Sequence, residues 1–309
     1  MILNLPLFEN LKIKNFQGIE EKEFEFRNNV NILLIPPISG KSSFFNSLSF
    51  LYTGDIRNFD NYDMVYNLTY DNILSLIYNN NSTKFEDLVI ENDYLKLTGS
   101  QDLSILSETD LGIVNDYIVR CMFKRQIDNE RIKNFIPTLT ECKVNKIENN
   151  DFDYSYLCYD KDKFAFESRM KDLASLFYLD DKDNLTNQLN TVYRELRRYI
   201  PKLFEHDVYL TSETNIAIGK NGKMVYTIPS TISSYMMILS SIYLPSNNTI
   251  VFEDFISNFQ LDKASQILST FNEALFSNNY VQKRIIIVAD SSKEEYFRNL
   301  IDESCIIHF

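Results

Sequence analysis

The stretch NILLIPPISGKSSFFNSLSF, Asn31 to Phe50, sets a short apolar run, a turn, Gly40-Lys41-Ser42 and an amphipathic run in succession. That succession is the layout of a phosphate-binding loop. Backbone N–H groups at the helix start would cradle phosphate oxygens, Lys41 would reach the terminal phosphates, and the Ser42 hydroxyl would bind magnesium. The turn departs from the usual chemistry. Ile35 stands where a glycine normally opens such a loop, and Pro36, Pro37 and Ile38 follow it. β-Branched Ile35 and Ile38 resist the positive φ that glycines often supply there. Pro37 removes an N–H donor and fixes its own φ. The surviving chemistry is therefore concentrated in Ser39, Gly40, Lys41, Ser42 and Ser43.

The elements around these residues read as follows. LKIKNF and KEFEFR alternate as half-buried strands, and NVNILLI is a nearly continuous apolar run that suits a buried strand. Phe44, Phe45, Leu48 and Leu51 recur at helical spacing after the loop, with Gly54 past the expected end. MVYNLTY, ILSLIYN and EDLVIEN are further expected strands, and ETDLGIVNDYI an expected helix. The middle of the chain reads as helices over FAFESRMKDLASLFYL and NLTNQLNTVYRELRRYIPKLF, the second expected to stop near Pro201. No heptad pattern persists long enough for a long coiled coil. The last third reads as strand DVYLTS, a hairpin NIAIGKNGKMVYTI turning at Asn221-Gly222, and helix TISSYMMILSSIYL. Strand TIVFEDF, helix LDKASQILSTFNEAL, strand KRIIIVAD, helix KEEYFRNLI and strand CIIHF complete it. Strands alternating with helices predict an α/β fold with a parallel sheet covered on both sides.

The totals limit the function classes. At 309 residues and 44% apolar, the chain can bury a sizeable core and is not a disordered segment. A net charge of -12 argues against a protein that coats nucleic acid unaided, because neutralising phosphates needs a basic surface. A local basic patch is still expected as one reading of YRELRRYIPK. It brings Arg194, Arg197, Arg198 and Lys202 onto neighbouring turns, with Lys124 and Arg125 as further cations; the competing reading is a solvated helix face. The four cysteines and two histidines lack metal-type spacing, so a zinc site is not expected. No apolar run is long enough to cross a membrane, and the first residues lack the features of a secretory signal, so a cytoplasmic protein with reduced thiols is expected.

The run LKIKNFQGIEEKEFEF…NVNILLIPPISGKSSFFNSLSFL resembles the start of the RecF/SMC-like branch of ABC-type P-loop ATPases. Asn15 and Phe16 match that family's strand dipeptide, Pro36 its loop proline, and Ser39, Gly40, Lys41 and Ser42 the end of its loop. The resemblance extends to IVRCMFKRQIDNERIKNF, which is similar to the Q-loop segment and implies that Gln126 senses magnesium and the γ-phosphate. TIVFEDF is similar to the Walker B strand. It implies that Glu253 is a magnesium ligand beside Ser42 and Gln126, and that Asp254 is the catalytic general base, although the family's usual order is Asp-Glu. Ser233, in STISSYMM, takes the place of the signature serine that touches the γ-phosphate, but Ser234 and Tyr235 replace its glycines. A tyrosine there is expected to crowd a backbone-to-phosphate approach. Asp290 occupies the place of the family's switch histidine, where a carboxylate would repel a triphosphate.

What the resemblance implies is a two-lobed ABC-type ATPase head without a long coiled coil. Its expected parts are an N-terminal β-rich lobe over residues 1–127, a helical connector over 128–205 and a C-terminal α/β lobe over 206–309. ATP and Mg²⁺ are the implied cofactors. Three functions stand open. One is a head degenerate in hydrolysis that serves as a partner subunit in a DNA-maintenance, repair or phage-defence complex. The second is an active ATPase coupled to DNA, and the third a scaffold that binds no nucleotide. The implied partners are another ATPase head, a second copy of this chain or a nuclease-type effector, with DNA engaged through the complex and no membrane involved.

Overall fold

The computed structural model describes residues 2–37, 40–53, 88–93, 95–99, 123–127, 158–159, 182–210, 216–224, 229–243, 248–277 and 282–309. Its centre is strand β4 (Val30–Ile35), every residue of which is buried. The run expected from NVNILLI thus forms where expected, and its continuous apolar character follows from being covered on both faces. Asn31 is the polar exception and is fully buried. Its side-chain amide donates to the Asn28 carbonyl at 2.6 Å and the Ile285 carbonyl at 3.4 Å, so no desolvated N–H is left over.

β4 lies between β13 (Lys283–Asp290) and β14 (Ile306–His308), parallel to both. β13 in turn pairs in parallel with β12 (Asn248–Glu253). The sheet then changes direction: β1 (Ile2–Pro6) runs antiparallel to β12, and β8 (Cys158–Tyr159) antiparallel to β1, giving the order β14-β4-β13-β12-β1-β8. The all-parallel expectation therefore holds only for the β14 to β12 side. β1 is a strand that the sequence pattern did not reveal, because ILNLP is short and closes on a proline. Its place is fixed from outside. Buried Arg284 donates to the Phe8 and Asn28 carbonyls and pairs with Glu9 at 3.0 Å, while the Phe8 N–H donates to Thr249 Oγ1 at 3.1 Å. The segments 1–127, 128–205 and 206–309 all contribute strands to this one sheet.

A second, five-stranded antiparallel sheet has the order β3-β2-β5-β6-β7, formed by β2 (Asn10–Phe16), β3 (Ile19–Glu25), β5 (Val89–Asn92), β6 (Leu95–Gly99) and β7 (Phe123–Ile127). Helix α1 (Lys41–Thr53) packs on β2, β5 and β6 and buries Phe44, Phe45, Leu48 and Leu51, the set expected from spacing. The expected strands MVYNLTY and ILSLIYN, and the helices over ETDLGIVNDYI and FAFESRMKDLASLFYL, lie outside the described residues.

Helix α2 (Lys182–Phe204) continues through Pro201 rather than stopping at it. Proline forfeits one N–H in the last turn, yet its carbonyl still accepts from the Glu205 N–H at 3.1 Å, and the helix ends one turn later. Then come β9 (Asp207–Leu210), β10 (Ile216–Lys220) and β11 (Lys223–Met224), a three-stranded antiparallel sheet. The β10–β11 turn is the Asn221-Gly222 pair, with φ of 53° and 73°, the two left-handed residues that such a hairpin needs. Helices α3 (Ser230–Ile242), α4 (Leu261–Ser277) and the short α5 (Glu294–Arg298) complete the described chain. α3 packs on β1 and β12 and against α2 and α4, closing the core on that side.

Candidate functional site

Three adjacent parallel strands, β4, β13 and β12, end side by side, and their carboxyl ends carry the residues of interest. Asp290 pairs in register with Ile35, and Glu253 with Val288. The crevice beyond the carboxyl ends of parallel strands is where α/β sheets place ligands. Here it receives the turn that leads into α1.

Gly40 begins that helix. Its carbonyl accepts from the Phe44 N–H at 2.7 Å, and its φ is +136°, a conformation that a side chain would strain. No acidic residue occupies the first turn of α1, so nothing there competes with an anion for the N-terminal N–H groups. Lys41 is about one-third exposed, and its Nζ lies 3.8 Å from Glu253 Oε1. Ser42 faces solvent. Ser43 is half-buried: its hydroxyl donates to the Gln17 carbonyl at 2.9 Å, while the Asn46 amide donates to Gln17 Oε1 at 3.0 Å. The β2–β3 turn, with Asn15, Gln17 and Gly18 all at positive φ, is thereby clasped to the start of α1. Ile38 and Ser39 lie outside the described residues.

Asp290 is close enough to Lys41 to be influenced by its charge. The hydrogen bonds it accepts from Ser292, the backbone one at 2.8 Å, hold its carboxyl below the usual range, and the ammonium groups of Lys41 and Lys293 act in the same direction. One lysine thus faces the Glu253 carboxylate at the end of β12 and acts on the Asp290 carboxylate at the end of β13.

Asp254, next to Glu253 in sequence, is differently employed. Its Oδ1 accepts from the N–H groups of Ile256 at 2.8 Å and Ser257 at 3.0 Å, and its Oδ2 accepts from the Ser257 hydroxyl. The carboxylate, one residue ahead of the N-cap Phe255, braces the single turn Ile256–Asn258 through these bonds. Tyr296 reinforces this turn by donating towards the Ile256 and Phe259 carbonyls, at 3.1 and 2.7 Å.

The signature-like helix α3 stands apart from the Lys41 cluster. Ser233 lies in its first turn, 5% exposed, and its N–H donates to the Pro229 carbonyl at 3.0 Å. Tyr235 corrects the expectation of crowding. Its ring is fully buried, stacks on Phe271 at 5.4 Å, meets Phe204 edge-on at 5.3 Å, and donates its hydroxyl to Thr270 at 2.9 Å. The ring points into the core between α2, α3 and α4 rather than outward, and burial pushes its hydroxyl pKa up. Gln126 sits in β7, in register with Lys96; its side chain lies outside the described residues.

The basic run on α2 is partly neutralised. Arg194 pairs with Glu195 at 3.2 Å, and Arg198 with Glu195 at 3.5 Å and Glu273 at 3.7 Å. Arg198 also lies over the Tyr199 ring, whose hydroxyl donates to Glu273 at 2.7 Å. These residues line a groove of about 910 Å³ between α2 and α4 that includes none of the Lys41 cluster. Arg197 and Lys202 are exposed. The side chains of Lys124 and Arg125 lie outside the described residues. Among the described residues no group of histidine, cysteine and carboxylate side chains has the makings of a protein-only metal site, and no helix is long and apolar enough to cross a membrane.

The described geometry fits a phosphate group with its cation: a bare glycine at the helix start, an acid-free first turn, an exposed serine hydroxyl, a lysine at the mouth and a carboxylate across from it. It does not present Asp254 as a ready base.

No family model matches the sequence, and no curated protein matches it either. Solved structures do match. An SMC head bound to the C-terminal winged-helix domain of ScpA aligns over 98% of this chain and 94% of its own length, with a TM-score of 0.55 at 12% identity. An SMC head domain from Thermotoga maritima aligns over 92% of this chain and 89% of its own, with a TM-score of 0.41 at 11% identity. The fold of this chain is that of an SMC head domain.

Proposed function

We propose that this chain is a divergent head of the RecF/SMC-like kind that retains a nucleotide-phosphate site at Gly40–Ser43 and is degenerate in hydrolysis. The observation that carries the first half is the convergence of Lys41 and Glu253, 3.8 Å apart, in the crevice at the carboxyl ends of the parallel strands β4, β13 and β12, beside an acid-free helix start. Phosphate oxygens would lie on the N–H groups after Gly40, with Lys41 turning from Glu253 to meet them. Ser42 and Glu253 would hold Mg²⁺, with Gln126 approaching from the second sheet and Ser39 completing the loop. Mg²⁺, when bound with nucleotide, neutralises the phosphate charge.

Degeneracy rests on two groups. A general base must be oriented on the attacking water, and the Asp254 carboxylate is instead oriented by three accepted hydrogen bonds into the turn that follows it. Asp290 places a negative charge next to the lysine that must bind anions. The parts of the head are an N-terminal lobe over 1–127, a helical connector over 128–205 and a C-terminal lobe over 206–309. It acts as a subunit in a DNA-maintenance, repair or phage-defence complex; Ser233, at 5% exposure, would meet the nucleotide of a second head only if the start of α3 opened. That the matched SMC head is bound to a ScpA winged-helix domain supports a protein partner.

The test is ATP binding and turnover with magnesium, for wild type and Lys41→Ala. Binding by wild type, lost in the variant, without turnover is the expected result. Lys41-dependent turnover would instead establish the second reading, an active ATPase, which the retained Lys41–Glu253 pair favours. Absence of binding in both would leave a scaffold.

A further inference from the structure

Phe309 follows β14 and extends its ladder, its N–H donating to the Leu34 carbonyl at 3.0 Å. Its ring reaches the start of α1. A Cβ added to Gly40 would stand 3.1 Å from the ring's Cζ, 3.3 Å from Cε1 and 3.9 Å from Cε2, so the tip of the ring points at Gly40. The other side of the ring is fixed. It stacks on Phe24 of β3, with centroids 5.7 Å apart and planes 29° apart, and the Lys22 ammonium lies 5.2 Å from its centroid. Phe24 also meets Phe44 of α1 edge-on at 5.7 Å. One ring therefore ties the edge of the six-stranded sheet, the five-stranded sheet and the residue at which the helix begins.

We propose that Phe309 is a positioning residue of the phosphate loop: its ring tip abuts Gly40 and sets where the Gly40 carbonyl and the Lys41 backbone stand. This rests on the phosphate-site reading above and adds a residue that the loop's own sequence does not contain. Gly40 is favoured twice, by its φ of +136° and by the ring, which would have to give way by a few tenths of an ångström to admit a Cβ. The Phe44 N–H, bonded to the Gly40 carbonyl, reports on the same geometry without any nucleotide.

Phe309→Tyr separates positioning from packing. It keeps the stacking on Phe24 and the contact with Lys22, but puts a hydroxyl on the ring carbon that points at Gly40, the one nearest to where a Gly40 Cβ would stand. The experiment compares wild type, Phe309→Tyr and Phe309→Leu by titration with a fluorescent ATP analogue and magnesium, by thermal melting, and by hydrogen exchange at the Phe44 amide. Phe309→Tyr should melt near wild type, lose roughly tenfold or more in affinity, as misplacement of a binding group does, and exchange faster at Phe44. Phe309→Leu, with no hydroxyl, should retain more affinity than Phe309→Tyr despite a lower melting point. Affinity that simply tracks the melting point across both variants would overturn the proposal. So would wild-type affinity with unchanged Phe44 exchange in Phe309→Tyr. If wild type binds no nucleotide, the phosphate-site reading falls, and the exchange measurement still decides this one: faster exchange in Phe309→Tyr upholds the wedge, unchanged exchange removes it.

Discussion

Replacing Asp290 by asparagine should tighten nucleotide binding while leaving the fold in place. The carboxylate has two relations in the structure. It caps the turn Ser291–Lys293 by accepting from the Ser292 N–H at 2.8 Å, and it shares the neighbourhood of Lys41. Asparagine keeps the side-chain oxygen needed for the cap, so stability should change by no more than about 1 kcal/mol. What it removes is the charge. A carboxylate roughly 6 Å from a phosphate seated on Lys41 repels each unit of phosphate charge by about 0.7 kcal/mol in water, or about 1 kcal/mol for a partly ionised terminal phosphate. That corresponds to about a fivefold lower Kd. Because both groups face solvent, added salt should shrink the gain, the screening length being about 8 Å at physiological ionic strength. Titration with a fluorescent ATP analogue and magnesium, at low and high salt, measures both the gain and its decay. Unchanged or weaker binding in a variant that melts like wild type would show that Asp290 does not face the phosphates, and the electrostatic argument for degeneracy would lose one of its two supports.

Asp254→Asn should cost about 1 kcal/mol in urea unfolding, because the substituted amide cannot accept from the Ser257 hydroxyl. It should leave any residual turnover unchanged, whereas a large loss of turnover would identify Asp254 as the base after all. Tyr235→Phe should lose about 1 kcal/mol through the missing hydrogen bond to Thr270, with no effect on nucleotide affinity, measured by the same two assays. Acid should destabilise the chain in part through Asp290 and Asp302. Both are held below the ordinary aspartate value of 3.8 by N–H groups of Ser292 and Ser304. Their contribution is fully present above that value and is lost as pH falls through their lower folded values. The melting point of Asp302→Asn should accordingly vary less steeply with pH below about 4 than that of wild type.

The parts of the fold that were legible from sequence are those in which one physical demand dominates. NVNILLI suited a strand covered on both faces, and Asn221-Gly222 suited a tight hairpin turn, and both form as expected. β1 was hidden because five residues ending in proline carry too little pattern, and its partners lie far along the chain. Pro201 was a misleading stop, since a proline near the end of a helix costs one bond that the last turn can lose. Tyr235 was unreadable for a different reason. Residues Ile232–Ile242 of α3 are all buried, so no polar stripe betrays which way the tyrosine points. At the site, the chemistry of Gly40, Lys41 and Ser42 was visible in the order of their types, and Glu253 and Asp290 followed from a family pattern. That Asp254 is bound up in bracing depends on the turn that follows it, which its own spacing does not announce. The wedge formed by Phe309 leaves no local signature near the loop.

The strand order also governs how the chain must assemble. The five-stranded sheet has hairpin neighbours β2–β3 and β5–β6, which need only short loop closures and can form early. β4 is the opposite case. Its described strand partners are β13 and β14, so Val30–Ile35 must wait for residues 283–308 before either of its edges is paired. Until then a continuous apolar run has two open edges, the condition that favours pairing with another chain. A growing or truncated chain ending before Lys283 therefore carries an aggregation-prone segment, and the crevice at the ends of β4, β13 and β12 is among the last features of the molecule to come into being.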